Sequence, residues 1–202
     1  MNAPALLAVL LAFAVIGLLP RMFFRRDGWL GPMWWVTAAP FFVTPAGLLV
    51  AYAMGLEPFT PRGWTTPLAL AAVTLAAVAI ALIFFTLGTH RVPLALWHQD
   101  NDAPRSIVTY GAYGRIRHPF YAAFLAAFAA ALACFPHPAT LVALGYAVTV
   151  LNLTAAREER RLSASAFGDE YRAYMTRTGR FLPRLRRVTA APATGDRERS
   201  PV

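Results

Sequence analysis

Five apolar runs of 16 to 24 residues limit what this chain can fold into. They cover 3–20, 33–56, 67–87, 120–135 and 138–156. A helix needs about 20 mostly apolar residues to cross the hydrocarbon core of a bilayer. Four runs meet that length or nearly so, and the fourth, at sixteen residues, is short. None alternates apolar and polar residues with a period of two, which excludes a membrane barrel. The expectation is an all-α integral membrane protein of about five transmembrane helices. Pro40 and Pro45 lie inside the second run, and each lacks a backbone donor, so a kink is expected there.

Composition agrees. The chain is 57% hydrophobic and 14% charged, against about half and about a quarter for soluble globular domains. The single cysteine, Cys134, excludes an internal disulfide framework and a cysteine-based metal cluster. The net charge of +9 comes from nineteen arginines and no lysine. They lie between the apolar runs and in the C-terminal quarter, not as a stripe on a soluble domain, so nucleic acid is not an expected partner. Membrane flanks suit them, since a basic side chain there gains on the order of 1 kcal/mol from anionic headgroups.

The arginines also set an orientation. The connection 21–32 holds Arg21, Arg25 and Arg26; 57–66 holds only Arg62; 88–119 holds Arg91, Arg105, Arg115 and Arg117; 136–137 holds none; and the C-terminal segment holds eleven. Eighteen of the nineteen therefore fall on one side, which the positive-inside rule makes cytoplasmic. The expected topology is multi-pass, with the N-terminus outside and the C-terminus in the cytoplasm. The first run reads as a span, since it has neither a basic leader nor a small-residue cleavage site. Trp29, Trp34, Trp35 and Trp64 flank spans and read as interfacial anchors.

Beyond the fifth run, residues 157–177 are polar, with Phe167, Tyr171, Tyr174 and Met175 at three- and four-residue steps and Leu162 five residues before them. That pattern predicts a helix on the cytoplasmic interface, bent or broken at Gly168. Residues 1–187 read as one domain, with a chemistry-bearing half at 88–187. The small and polar residues 188–202 read as a disordered tail.

Chemistry concentrates in two places. Arg117-His118-Pro119-Phe120-Tyr121 opens the fourth span, with Pro119 at a position where its missing donor costs nothing. The positive helix end there suits a carboxylate or phosphate, and Arg117 adds a two-pronged donor. Glu158-Glu159 lies just past the inner end of the fifth span. The turn Pro136-His137 is short enough to require an antiparallel hairpin. Sixteen and nineteen residues at 1.5 Å each give roughly 24 and 28 Å, so both clusters are expected at one depth and within reach of one ligand. A cationic wall facing a carboxylate wall suits a zwitterion, and a carboxylate also accepts from paired ribose hydroxyls. As the plainer alternative, Arg117 and His118 snorkel at headgroups while Glu158 and Glu159 pair with nearby arginines on their own helix. His90, His98 and Asp100 lack metal-ligand spacing, so no metal site is expected. No P-loop or dinucleotide-binding fingerprint is present.

Taken together, IVTYGAYGRIRHPFY (107–121), REERRL (157–162), FGDEYRAY (167–174) and RFLP (180–183) resemble the isoprenylcysteine carboxyl methyltransferase and phospholipid methyltransferase superfamily. The resemblance spans about residues 105–183. It implies a membrane-embedded methyltransferase whose cofactor, S-adenosyl-L-methionine, enters from the cytoplasm, while a lipid or isoprenoid acceptor enters from the bilayer. Carried over from the family motifs, the cofactor contacts are Ser106, Ile107, Val108, Tyr113, His118, Pro119, Phe120, Tyr121 and Glu158 or Glu159. The acceptor-side arginine is Arg157, the nearest to the acidic pair. The interval from that pair to Phe167-Gly168 is one residue longer than the family pattern, which leaves the choice between Glu158 and Glu159 open.

Arg117, His118 and Arg157 are thus the expected catalytic residues. Methyl transfer is an in-line displacement that needs aligned reactants about 3–3.5 Å apart and little water. A carboxylate acceptor, the first expectation, needs only positioning. An amine or phenol must lose a proton, with His118 as the nearest base; otherwise His118 donates to the cofactor carboxylate. Phospholipid amine N-methylation, phenolic-lipid O-methylation and a non-enzymatic membrane scaffold are the alternatives.

Overall fold

The computed structural model describes residues 1–19, 38–61, 63–89 and 107–184. Within them the chain is all-helical. Six α-helices run in the order α1 (Ala3–Gly17), α2 (Ala39–Ala53), α3 (Thr65–Thr89), α4 (Pro119–Cys134), α5 (Pro138–Ser163) and α6 (Gly168–Arg177), with a 3-10 turn at Gly111–Gly114 before α4. Two of them, α3 and α5, are long and apolar enough to cross a membrane; α1, α2 and α4 are shorter apolar helices.

Each apolar run produces a helix close to its expected bounds, and the differences have local causes. Asn2 caps α1 by accepting from the Ala5 amide (3.0 Å). Pro40 falls in the first turn of α2, where no intrahelical donor is needed, so it does not interrupt the helix. Pro45 lies inside α2 and leaves the Phe41 carbonyl without its usual donor. The fifth run continues as helix seven residues past 156, to Ser163. The polar segment 157–177 is helical and broken near Gly168, as its sequence predicts, but its first part continues α5 and only the second part forms the separate helix α6. The break falls at 164–167, just before Gly168, which begins α6. A Cβ on Gly168 would lie 2.4 Å from the Ser163 carbonyl oxygen, which is why glycine stands there.

The core forms around α4. Phe120, Tyr121, Ala123, Phe124, Ala127, Phe128, Ala130, Ala131 and Cys134 are all buried, so this helix is enclosed on most sides. Its most extensive neighbour is α3, which offers Ala72, Ala76, Ala79 and Ile83 along one face. Small side chains on both helices let the backbones approach closely. Phe13 of α1 and Phe41 of α2 close the other side, with Phe13–Phe128 at 5.2 Å and Phe41–Phe124 and Phe41–Phe128 at 5.0 Å, all edge to face. Away from α4, α3 exposes Leu70, Phe84 and Phe85, and α5 exposes Leu141, Val142 and Leu153.

The α4–α5 hairpin turns at Phe135-Pro136-His137. Thr140 Oγ1 lies 2.6 Å from the Phe135 carbonyl, and His137 Nδ1 accepts from the Ala139 amide (3.2 Å). The His137 ring stacks on Phe135 (5.2 Å) and Phe59 (5.3 Å), and the Phe59 amide donates to Pro136 O (2.8 Å). These contacts fix the turn and, with it, the relative depth of the helices at the opposite end.

Candidate functional site

Two helix ends and one short bridge meet at that opposite end. The 3-10 turn carries the chain from residue 110 into α4. Gly111 adopts φ +60°, and a Cβ there would lie 2.1 Å from Thr89 Oγ1 at the end of α3, so both conformation and space require glycine. Residues 115–118 then pair with the segment after α6. Arg117 N donates to Gly179 O (2.8 Å), His118 N to Arg180 O (3.0 Å) and Gly179 N to Arg115 O (3.3 Å). A Cβ on Gly179 would come within 1.8 Å of Leu182 O, so this bridge also depends on glycine.

The hairpin brings Glu158 and Glu159 to Arg117, His118 and Tyr121, across some forty residues of sequence, as the helix lengths required. Glu159 accepts from Arg117 Nε (2.8 Å) and from Arg180 through both Nε (3.1 Å) and Nη2. Glu158 accepts from the Tyr121 hydroxyl (2.6 Å). The His118 ring lies between the two acids, with Nδ1 3.4 Å from Glu158 Oε2 and Nε2 3.3 Å from Glu159 Oε1. It stacks on the Tyr121 ring at 5.2 Å and 7°. His118 is 8% exposed, and its Nε2 has no hydrogen-bond partner among the described residues. The contact with Glu159 is therefore electrostatic and lacks hydrogen-bond alignment.

Burial alone would lower the His118 pKa, but the two neighbouring carboxylates outweigh it, and the imidazole is held above its ordinary value of 6.5. The Arg180 guanidinium is likewise raised, chiefly by its hydrogen bonds to Glu159. Burial, with the Tyr174 and Glu158 charges adding to it, pushes the Tyr113 phenol well above the usual range.

The two glutamates differ in what they have left to offer. Glu159 is committed to two guanidinium groups. Arg117 is tied as well, donating from Nη1 to the carbonyls of Met175 (3.3 Å) and Thr178. Together they join α4, α5 and the end of α6. Glu158 has one hydroxyl partner and an imidazole at longer range, so its oxygens keep spare acceptor capacity.

The other expected residues are placed as follows. Tyr113 is buried, and its carbonyl accepts from Tyr174 Oη (2.6 Å). Pro119 and Phe120 are buried in the first turn of α4, with Phe120 packed toward Phe124. Ile107 and Val108 are half-buried on the approach to the 3-10 turn, and Ser106 lies outside the described residues. Arg157 is exposed on α5 and makes no hydrogen bond or ion pair with the described residues; the structure does not bring it into the cluster.

Arg180 occupies the place next to the acids and was not singled out from the sequence. Its Nη1 also donates to Asn152 Oδ1 (2.7 Å), two turns before Glu159 on α5. The available signals were its place at the head of the RFLP motif (180–183), Gly179 before it and the lone asparagine in an apolar run. Among the described residues, no group of three or more histidine, cysteine, aspartate or glutamate side chains could hold a metal ion. Comparison with known proteins adds no relative: no family model, no curated protein and no solved structure matches this chain.

Proposed function

We propose that this chain is a membrane-embedded S-adenosyl-L-methionine-dependent methyltransferase of the isoprenylcysteine carboxyl and phospholipid methyltransferase type, with five spans and a cytoplasmic cofactor site. The observation that carries the reading is the meeting of His118, Tyr121 and Glu158 at one end of the α4–α5 hairpin, on a base locked by Arg117, Glu159 and Arg180. The membrane part rests on the outer surface. The apolar stretches of α3 and α5 are only 22% buried, and side chains such as Val142 (70% exposed) and Leu70 (64%) face outward. Helices of that hydropathy in water would hide those faces.

The residues fit the cofactor. Its amino-acid end is zwitterionic and its ribose offers paired hydroxyls. Glu158 has the spare acceptor capacity to take an ammonium or a diol, and the unpartnered His118 Nε2 suits a carboxylate. The raised imidazole pKa keeps that nitrogen a donor to higher pH, which favours the binding role over that of an idle base. Bound there, the cofactor supplies an electrophilic methyl on a sulfonium sulfur. Tyr121 holds Glu158 through its hydroxyl and His118 through its ring, so the three act as one positioned unit. For a carboxylate acceptor the chain need only align and exclude water; an amine or phenol acceptor must also lose a proton, which His118 can take only as the neutral imidazole, so the base role and the carboxylate-binding role exclude each other.

Supplying isotopically labelled methyl donor to membranes with and without the protein tests this reading. A base-labile labelled methyl ester on a lipid-like product is expected. An alkali-stable methylamine or ether would move the acceptor to a phospholipid amine or phenolic lipid, and no protein-dependent labelled product would refute the enzyme.

A further inference from the structure

A second concavity lies beside the 3-10 turn, and none of the described residues that line it belongs to the His118–Glu158 cluster. The cavity has a volume of about 550 Å³ and includes Thr109, Arg115, Tyr174, Arg177, Thr178 and Arg184 in its lining. Three arginines from three chain segments therefore line one space, and among the described residues no carboxylate lines it.

Two of the three are uncompensated. Arg115 and Arg177 form no side-chain hydrogen bond or ion pair with the described residues, whereas Arg172 on the same short helix pairs with Asp169 (2.7 Å). Arg184 is positioned, donating to Thr176 O (2.6 Å) and Met175 O (3.4 Å) at the C-terminal end of α6. Arg117 also donates to the carbonyls of Met175 and Thr178 at this end of α6. Thr178, also in the lining, donates from its hydroxyl to Tyr174 O (2.9 Å).

From this arrangement we infer a binding site for an organic phosphate, separate from the methyl-donor site. Planar guanidiniums match phosphate oxygens in pairs, and like-charged groups held together gain most from a dianion. The cavity exceeds what one phosphate group fills, so the ligand carries an organic portion or a second phosphoryl group. An anionic lipid headgroup and a soluble phosphate ester share this chemistry.

Inorganic pyrophosphate is the probe, titrated calorimetrically into the detergent-purified full chain. Saturable binding is expected, weakened about tenfold for each guanidinium removed in Arg115→Gln and Arg177→Gln, and unchanged in Arg172→Gln. Because neither arginine supports the fold through a described contact, the variants should melt like wild type without ligand. The Arg115→Lys/Arg177→Lys pair keeps the charge and loses the fork, and should bind with intermediate affinity. Repeating the titration in phosphatidylcholine nanodiscs with and without phosphatidic acid identifies the source. Competition by phosphatidic acid assigns the site to a lipid headgroup, and undiminished pyrophosphate binding assigns it to a soluble ester. Absence of saturable binding, or equal affinity in the Gln double variant, overturns the inference. S-adenosyl-L-methionine binding is measured in parallel, so failure of one site is distinguishable from failure of the other.

Discussion

Glu159→Gln keeps the shape of a side chain on which three elements depend and removes its charge. The Glu159 and Arg117 side chains are 9% and 11% exposed, so their pair is nearly out of water. Removing one member of such a pair leaves a buried charge and costs about 3–5 kcal/mol. The Arg180 side chain is 31% exposed, and solvent recovers much of its loss, adding no more than about 1 kcal/mol. In Glu158→Gln the amide oxygen can still accept from Tyr121, so the cost there is about 1 kcal/mol. At roughly 2–4 °C per kcal/mol for a chain of this size, Glu159→Gln should melt about 6–24 °C below wild type and Glu158→Gln about 2–4 °C below. Tryptophan fluorescence during thermal melting of the detergent-purified protein reads both. Equal melting temperatures for the two variants would refute the division of labour between a structural and a ligand-facing acid.

Other predictions follow from the same contacts. Gly179→Ala drives a methyl into Leu182 O and should release Arg180 from Glu159, lowering the melting temperature by an amount similar to Glu159→Gln; Gly47→Ala, with nothing within 4 Å, should be neutral or stabilising by about 0.5–1 kcal/mol. Tyr174→Phe removes the hydroxyl donated to Tyr113 O and should cost about 1–2 kcal/mol by the same melting assay, with a larger loss disproving a simple single-bond role. The folded His118 pKa lies above 6.5, so its contribution to stability is complete below pH 6.5 and is lost as pH rises through the folded value. Melting of wild type against His118→Gln across pH 5–9 should show the gap narrowing with rising pH, and a constant gap would contradict the assignment.

Much of the architecture was legible because lipid-length apolar runs and a three-residue turn allow few arrangements. The turn at Phe135-Pro136-His137 forces α4 and α5 antiparallel, and the lengths of the two helices then set Glu158 and Glu159 against His118. What sequence could not show was how the acids share their partners. Arg157 was the nearest arginine in the chain, but helical rotation turns it to the outside, and Arg180 reaches in along a backbone bridge to residues 115–118. That bridge is long-range and only a few residues long, so no periodicity announces it. The apolar run ends at 156, but α5 continues into the polar helical segment as far as Ser163, because arginine and glutamate continue helices readily. The expected tail at 188–202, the anchors Trp29, Trp34 and Trp35, and His90, His98 and Asp100 all lie outside the described residues.

Equilibrium binding of radiolabelled S-adenosyl-L-methionine to the purified protein, compared between wild type, His118→Ala and Glu158→Gln, bears most directly on the central claim. Wild type should bind saturably, and each variant should lose about tenfold or more in affinity while remaining folded. Wild-type binding no tighter than that of the folded variants would mean that this cluster is a structural clamp and not a cofactor site.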